Sequence, residues 1–320
     1  MRTLIMGGTR FVGRHIALAA LGAGHEVTLL HRGVSGADLF PSATHLRLDR
    51  NGDLGPLRGT SWDLVIDVSA YLPAQVEALG AVLGERVGRY VFISSTSVYQ
   101  APAAPGFDES SPLMTLPPGP VPATVTDETY GALKVLCEQA AIRLFGPDTL
   151  VVRPTYVVGP HDHTGRFTYW VKRLARGGEV LAPGYPDRAI QVVDARDLAA
   201  FTLLPTGGTF HTAVPRLTFA EMLEAIAAEV APPGTTLTWV DPQFLLDAGE
   251  DGVTLPLWYA GVEADAAINT ADPAAALKAG LHLRPLAQSI HDVLGEPDAA
   301  GQLAPDRESE LLAVYQGVGR

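Results

Sequence analysis

Residues 3–13 read TLIMGGTRFVG, and the reading of this stretch decides the fold. Thr3 to Met6 form a short apolar run that suits a buried strand. Two glycines follow, then Phe11–Leu21, whose apolar residues recur at helical spacing and stop near Gly22 and Gly24. A strand that ends in glycine and opens into a helix can seat a diphosphate. Glycine lets the backbone turn tightly and approach phosphate oxygens, and the helix start offers free N–H groups and a favourable dipole. Gly7 and Gly13 have the outer spacing of a Gly-x-x-Gly-x-x-Gly loop, with Arg10 at the middle position. Gly7, Thr9, Arg10, Phe11, Val12 and Gly13 are therefore candidate cofactor contacts. An ordinary strand-to-helix turn shares this spacing, so the surrounding pattern has to carry the choice.

That pattern alternates. Glu26–Leu30, Leu46–Leu48, Asp63–Val68, Arg89–Ser94 and Asp148–Val152 read as strands, and Pro73–Leu83 and Glu128–Phe145 as helices. Strands separated by helices predict an α/β fold, a Rossmann-type doubly wound parallel sheet covered on both faces. After Gly159 the rhythm breaks. Helical stretches at Phe167–Arg176, Phe219–Val230, Pro273–Lys278 and Leu286–Leu294 alternate with short strands such as Thr236–Val240, as in a smaller C-terminal α/β lobe. The expected division is a dinucleotide-binding domain over 1–155, with 190–212 returning to it, and a substrate lobe over most of 156–320. The proline-rich segment Ala101–Pro122 reads as a loop, long enough to be functional.

Composition narrows the class. The 320 residues carry 35 acidic against 23 Lys or Arg side chains, a net charge of −12, which lacks the basic footprint of a phosphate-backbone binder and argues against nucleic acid. No apolar run approaches the roughly 18 residues of a membrane helix. The start MRTLIMGGTR has no secretory-signal pattern, so a cytoplasmic location is expected. One cysteine, Cys137, rules out an internal disulfide framework and reads as a buried, inert thiol.

The end of the second strand bears on which dinucleotide binds. A carboxylate there would accept a ribose 2′-hydroxyl, but this chain has His31 and Arg32. His31 and Arg32 are candidate cofactor contacts: Arg32 suits a 2′-phosphate, and Arg10 the same group or the diphosphate. NADP(H) is thus favoured over NAD(H). Asp49, ending the next strand, is placed for the adenine amino group.

Tyr130-Gly131-Ala132-Leu133-Lys134 opens the long helix, so Tyr130 and Lys134 share one face. A nearby ammonium lowers the phenol pKa from its usual value near 10, fitting the tyrosine to exchange a proton with a carbonyl or alcohol. The strand ending FISSTSVY, Phe92 to Tyr99, delivers Ser94, Ser95 and Thr96 to the crevice side of a parallel sheet, with Ser95 the best donor to a reacting oxygen and Ser94 a candidate cofactor contact.

Together these motifs resemble the extended short-chain dehydrogenase/reductase family, the NAD-dependent epimerase/dehydratase group. The resemblance rests on GGTRFVG, DVSAY (Asp67–Tyr71), FISSTSVY, YGALK, VVRPTYVVGP (Val151–Pro160) and VVDARDLA (Val192–Ala199), in that order. It implies a catalytic Ser95–Tyr130–Lys134 set, with Lys134 also holding the nicotinamide ribose. It implies cofactor contacts from Ser69, Ala70, Tyr71 and Pro154, and a homodimer paired through the Tyr–Lys helix. The departures concern substrate. Thr96-Ser97 stand where 4,6-dehydratases carry Asp-Glu, Tyr156 stands where sugar-nucleotide members usually carry Asn, and Arg188 is offset from their nucleotide-clamping arginine. Arg10 resembles an atypical subset that includes chloroplast RNA-binding relatives.

Thr96, Tyr156, Arg166, Tyr169, Trp170 and Arg188 are the candidate substrate contacts, with core packing the competing role for the aromatics. Trp258 and Tyr259 carry the same two readings. His161-Asp162-His163 reads as polar loop rather than metal site, because neighbours on an extended chain point in opposite directions. The function expected is NAD(P)-dependent carbonyl/alcohol oxidoreduction of a small molecule, sugar-derived or otherwise. The alternatives are an NAD-retaining sugar or sugar-nucleotide epimerase and a non-enzymatic nucleotide-sensing or RNA-binding protein.

Overall fold

The computed structural model describes residues 1–100, 105–259 and 267–318. The start of the proline-rich loop, 101–104, lies outside the described residues. Two compact units emerge. One comprises Met1–Val157, Val193–Val214 and Ala271–Leu283; the other comprises Val158–Val192, Pro215–Thr270 and Arg284–Arg320. Ala271–Leu283, read from sequence as part of the C-terminal lobe, belongs to the first unit.

The first unit is built on seven strands: β1 (Arg2–Met6), β2 (Glu26–His31), β3 (Thr44–Arg47), β4 (Trp62–Asp67), β5 (Val87–Ile93), β6 (Leu150–Pro154) and, after the excursion into the second unit, β11 (Gly208–Thr212). Their order is β3-β2-β1-β4-β5-β6-β11, parallel throughout. The order reverses between β1 and β4, the switch point at which an open α/β sheet opens its ligand crevice. Side-chain alternation splits the core in two. Ile5, Leu29, Leu64, Ile66, Val91 and Val152 face α1 (Phe11–Gly22), α5 (Ala195–Thr202) and α8 (Ala274–Lys278). Leu4, Met6, Val65, Tyr90 and Phe92 face α2 (Pro73–Leu83) and α3 (Asp127–Phe145). Burial on both faces explains why these strands are continuous apolar runs.

The second unit contains α4 (Arg166–Arg176), α6 (Phe219–Val230), α7 (Pro242–Asp247), α9 (Leu286–Val293) and α10 (Pro305–Val318). Two small sheets accompany them: β8 (Glu179–Pro183) parallel to β13 (Thr236–Val240), and β9 (Ala189–Ile190) antiparallel to β12 (Leu217–Thr218). Short strands β7 (Tyr156–Val158) and β10 (Val192–Asp194) lie where the chain passes between units. No helix among the described residues is long and apolar enough to cross a membrane.

Candidate active site

The glycine turn is shaped by close packing. Gly7 has φ +94°, a conformation L side chains rarely adopt, and a Cβ there would meet Ser69 Cβ at 3.0 Å. A Cβ on Gly13 would fall 2.0 Å from the Gly7 carbonyl oxygen, so only glycine lets α1 sit this close to β1. The helix opens from Arg10 with no side-chain cap and no acidic residue in its first turn. An uncapped helix start beside a glycine bend is a fit for a diphosphate. Thr9 and Phe11 are buried in this turn, while Arg10 is exposed.

At the end of β2 the two neighbours part. Arg32 is exposed and makes no ion pair among the described residues. His31 is buried, and both ring nitrogens are taken by protein: Nδ1 accepts from Gly33 N at 3.0 Å, and Nε2 bonds His45 Nδ1 at 2.8 Å. The cofactor contact expected of the His31 side chain is therefore not available. Asp49 is exposed, its Oδ1 accepting from Asn51 N in a turn.

The next arginine, Arg50, was not foreseen. It is buried and donates to both carboxylate oxygens of Asp67, at 2.6 and 2.9 Å, to Ser69 Oγ at 2.9 Å and to the Gln75 carbonyl at 3.3 Å. Asp67 also accepts from Tyr90 Oη and from the Ser69 and Ala70 backbone. Burial would raise the Asp67 pKa, but Arg50 overrides it and holds the carboxyl below its usual value. The signal was present in sequence: a carboxylate ending the apolar run DLVID needs a buried partner. This network fixes the floor from which Ser69, Ala70 and Tyr71 emerge.

Lys134 lies on the buried face of α3. Its Nζ donates to the Ile93 carbonyl at 2.6 Å and the Ala70 carbonyl at 3.0 Å, and sits 4.2 Å from the Phe92 ring centre and 5.4 Å from that of Tyr71. Burial pushes its pKa down to about 8. The Tyr130 ring, half-buried one turn earlier, is 6.2 Å from the Tyr71 ring. Gly131 permits this seating, since a Cβ there would come 2.0 Å from the Ser97 carbonyl oxygen. Ser95 is half-buried, accepting from Ser97 N at 3.1 Å and donating to Ser97 Oγ at 3.0 Å. The structure thus brings Tyr71, Tyr130 and Lys134 together, beside the turn that carries Ser95.

Two neighbours of Ser95 are committed elsewhere. Ser94, expected at the cofactor, donates to Glu138 Oε1 at 2.5 Å. Glu138 is also bonded at both oxygens by Arg153, whose NH1 donates to Tyr99 Oη, which in turn meets His211 Nε2. Thr96, expected at the substrate, is buried and donates to the Pro154 carbonyl at 3.2 Å, locking the end of β6. Sequence shows charges at 138 and 153 inside apolar runs, but not that they face one another. Cys137 is buried and its thiol is pushed up to about 12, chiefly by burial.

In the second unit, Trp170 is fully buried and donates from Nε1 to the Pro256 carbonyl. Tyr169 packs edge-on against it and burial raises its phenol pKa. Both were expected at substrate, yet both are core, because α4 turns Phe167, Trp170, Val171 and Leu174 inward. Arg166 is half-buried, its Nε donating to Thr164 Oγ1 at 3.1 Å. Arg188 donates to the Tyr259 carbonyl at 2.8 Å and lines a small, water-sized pocket with Tyr185, Phe219, Trp258, Tyr259 and Asn269. Tyr156 is half-buried on β7.

Residues 60–205 match the model of the NAD dependent epimerase/dehydratase family. Among solved structures, the chain is similar to a UDP-glucose 4-epimerase from Thermotoga maritima, at 16% identity over 92% of this chain and 97% of that one, with a TM-score of 0.67. It is similar to a UDP-N-acetylglucosamine 4-epimerase from Methanobrevibacter ruminantium, at 17% over 92% and 96%, TM-score 0.67. The enzyme WbmG of Bordetella bronchiseptica, solved with NAD and UDP, gives 17% over 92% and 93%, TM-score 0.67. A curated relative, chloroplast stem-loop binding protein of 41 kDa b from Arabidopsis thaliana, is 25% identical over 215 residues, 62% of this chain and 53% of that protein. The match thus spans about half the length of that relative. The solved structures share the doubly wound fold, and residues 60–205 are the part of the chain that is similar to the NAD-dependent epimerase/dehydratase family.

Proposed function

We propose that the protein is an NAD(P)-dependent oxidoreductase acting on a carbonyl or secondary alcohol, with Tyr130 as the acid/base. The observation that carries this reading is Lys134. It is a buried ammonium with no carboxylate partner among the described residues, one turn from Tyr130 at the crevice ends of β4 and β5. Two of its three N–H groups go to backbone carbonyls, leaving one for a ligand hydroxyl such as a ribose. Its charge favours the phenolate of Tyr130 and so eases proton transfer to or from the substrate oxygen. Ser95 holds that oxygen from the turn before α3. The pyridine nucleotide, when bound, supplies or accepts the hydride. Gly7 and Gly13 and the uncapped start of α1 would hold its diphosphate.

NADP(H) is the favoured cofactor. Arg32 and Arg10 are exposed cations at the adenosine side, and the end of β2 carries no carboxylate. Arg188 of the second unit is retained as a candidate substrate contact. A second reading, an epimerase that keeps its NAD, is favoured by the solved neighbours, two of which are UDP-sugar 4-epimerases. It requires cofactor that survives purification and isomerisation without net NADPH use. The name of the Arabidopsis relative points to RNA stem-loops, but a net charge of −12 opposes backbone binding here.

The test has two parts. Tyr130→Phe is expected to lower turnover by about 10²–10⁴-fold, the range for loss of a general acid/base. Intact function in that variant would remove the enzyme reading. NADPH and NADH are then titrated against wild type and Arg32→Ala. Equal or tighter NADH binding, with no effect of the substitution, would reverse the cofactor preference.

A further inference from the structure

The loop after β2 is held by a directed chain of hydrogen bonds. His31 Nδ1 accepts from Gly33 N, so that nitrogen carries no proton, and Nε2–H donates to His45 Nδ1 at 2.8 Å. His45 then donates from Nε2 to the Phe40 carbonyl at 3.2 Å. Every link requires both imidazoles neutral and in the Nε2–H form, since a proton on either Nδ1 would face another N–H. The rings meet edge-on, 5.1 Å between centres.

The chain spans a strained segment. Phe40 has φ +60°, and Gly33 and Gly36 also have positive φ. A Cβ on Gly36 would lie 2.8 Å from the Thr9 carbonyl oxygen, so the loop rests against the glycine turn. Arg32 leads into this loop from β2. We propose that His31 and His45 are positioning residues for the adenosine end of the cofactor. Their neutral relay shapes the 33–40 loop and thereby sets the affinity for a 2′-phosphorylated dinucleotide over one that lacks the phosphate. The inference rests on the dinucleotide reading above.

Acid should release the relay. His31 is held below its usual value by burial first, then by His45 and Arg47 on β3, and Arg32 adjoins it in the chain. The relay therefore persists above the ordinary histidine value near 6.5 and is lost as pH falls through the lower folded value.

The experiment titrates NADPH and NADH against wild type, His31→Asn and His45→Leu at pH 8 and pH 5.5. His31→Asn keeps an acceptor for Gly33 N–H but ends the chain there, and His45→Leu cuts the tie to Phe40. At pH 8 both substitutions are expected to weaken NADPH by about five- to tenfold, the scale of one buried hydrogen bond, and NADH by less. Acidification should weaken NADPH more in wild type than in His31→Asn, whose remaining slope reports the ligand phosphate, with its own pKa near 6. Long-range ¹H–¹⁵N spectra of wild type without ligand should show both rings as Nε2–H at pH 8, a readout that stands even if a variant fails to fold. A charged or Nδ1–H ring at pH 8, or variants with wild-type affinities and slopes, overturns the proposal alone. Failure of wild type to bind either dinucleotide at pH 8 overturns the dinucleotide reading, and this inference with it.

Discussion

The first unit buries cations in two different ways. Arg50 and Arg153 are each paired at both oxygens of a buried carboxylate, Asp67 and Glu138. Burial would depress both guanidinium pKa values, but the carboxylates reverse the sign and hold them raised. Lys134 is buried in the same unit against two carbonyls, and its pKa falls to about 8. The paired cations have no unbalanced charge to lend and serve to hold strands and helices together. The lysine keeps an unbalanced charge at the crevice, where it can act on a phenol or a ligand.

The contrast is sharpest in stability. Glu138→Ala leaves Arg153 charged and buried, and is expected to cost about 3–5 kcal/mol in urea unfolding, because half of a buried pair is worse than none. A loss below about 1 kcal/mol would mean that this pair is not structural. A smaller effect distinguishes the lysine. Its unfolded value of 10.5 lies above its folded value of about 8, so between them the unfolded chain holds a proton that the folded chain has lost. Stability from this group thus rises with pH across that window, by up to roughly 3 kcal/mol. Lys134→Met lacks the rise, so its stability relative to wild type should fall by about that amount from pH 7 to pH 10. Parallel curves for the two proteins would break the comparison. The smallest expected effect is at Gly131, where an added methyl meets the Ser97 carbonyl and must displace α3. Gly131→Ala is expected to cost about 1–3 kcal/mol by overpacking, with the Lys134 titration moving towards its ordinary value as the ammonium is lifted. An unchanged midpoint in that variant would show that the helix seat does not set the lysine environment.

The strand–helix alternation, the glycine turn and the Tyr130–Lys134 spacing were legible in the chain. Predicted and observed bounds agree for Pro73–Leu83, Phe219–Val230 and Thr236–Val240. Other elements differed. The sequence reading placed 273–278 in the C-terminal lobe, yet this segment packs on the first sheet's helix-covered face. Helix α10, Pro305–Val318, was not anticipated; its buried Glu308 holds Arg173 and the Leu181 backbone in the second unit. Of the two roles open to Trp170 and Tyr169, packing is the one the structure shows; helical spacing shows that a face is apolar without showing what it packs against.

What the chain determined by itself is local: where backbone must bend through glycine, which residues share a helix face, and which runs are buried on both sides. These follow from φ/ψ preference and side-chain period, and neither needs a partner distant in sequence. The tertiary structure alone decided which buried groups meet. Arg50 finds Asp67 and Glu138 finds Arg153 through sheet order and helix packing, while His31 reaches His45 across the β2–β3 register, so one histidine leaves the ligand list and Ser94 leaves with it. A hydrogen bond depends on tenths of an ångström between elements far apart in the chain, and sequence spacing carries no such distance.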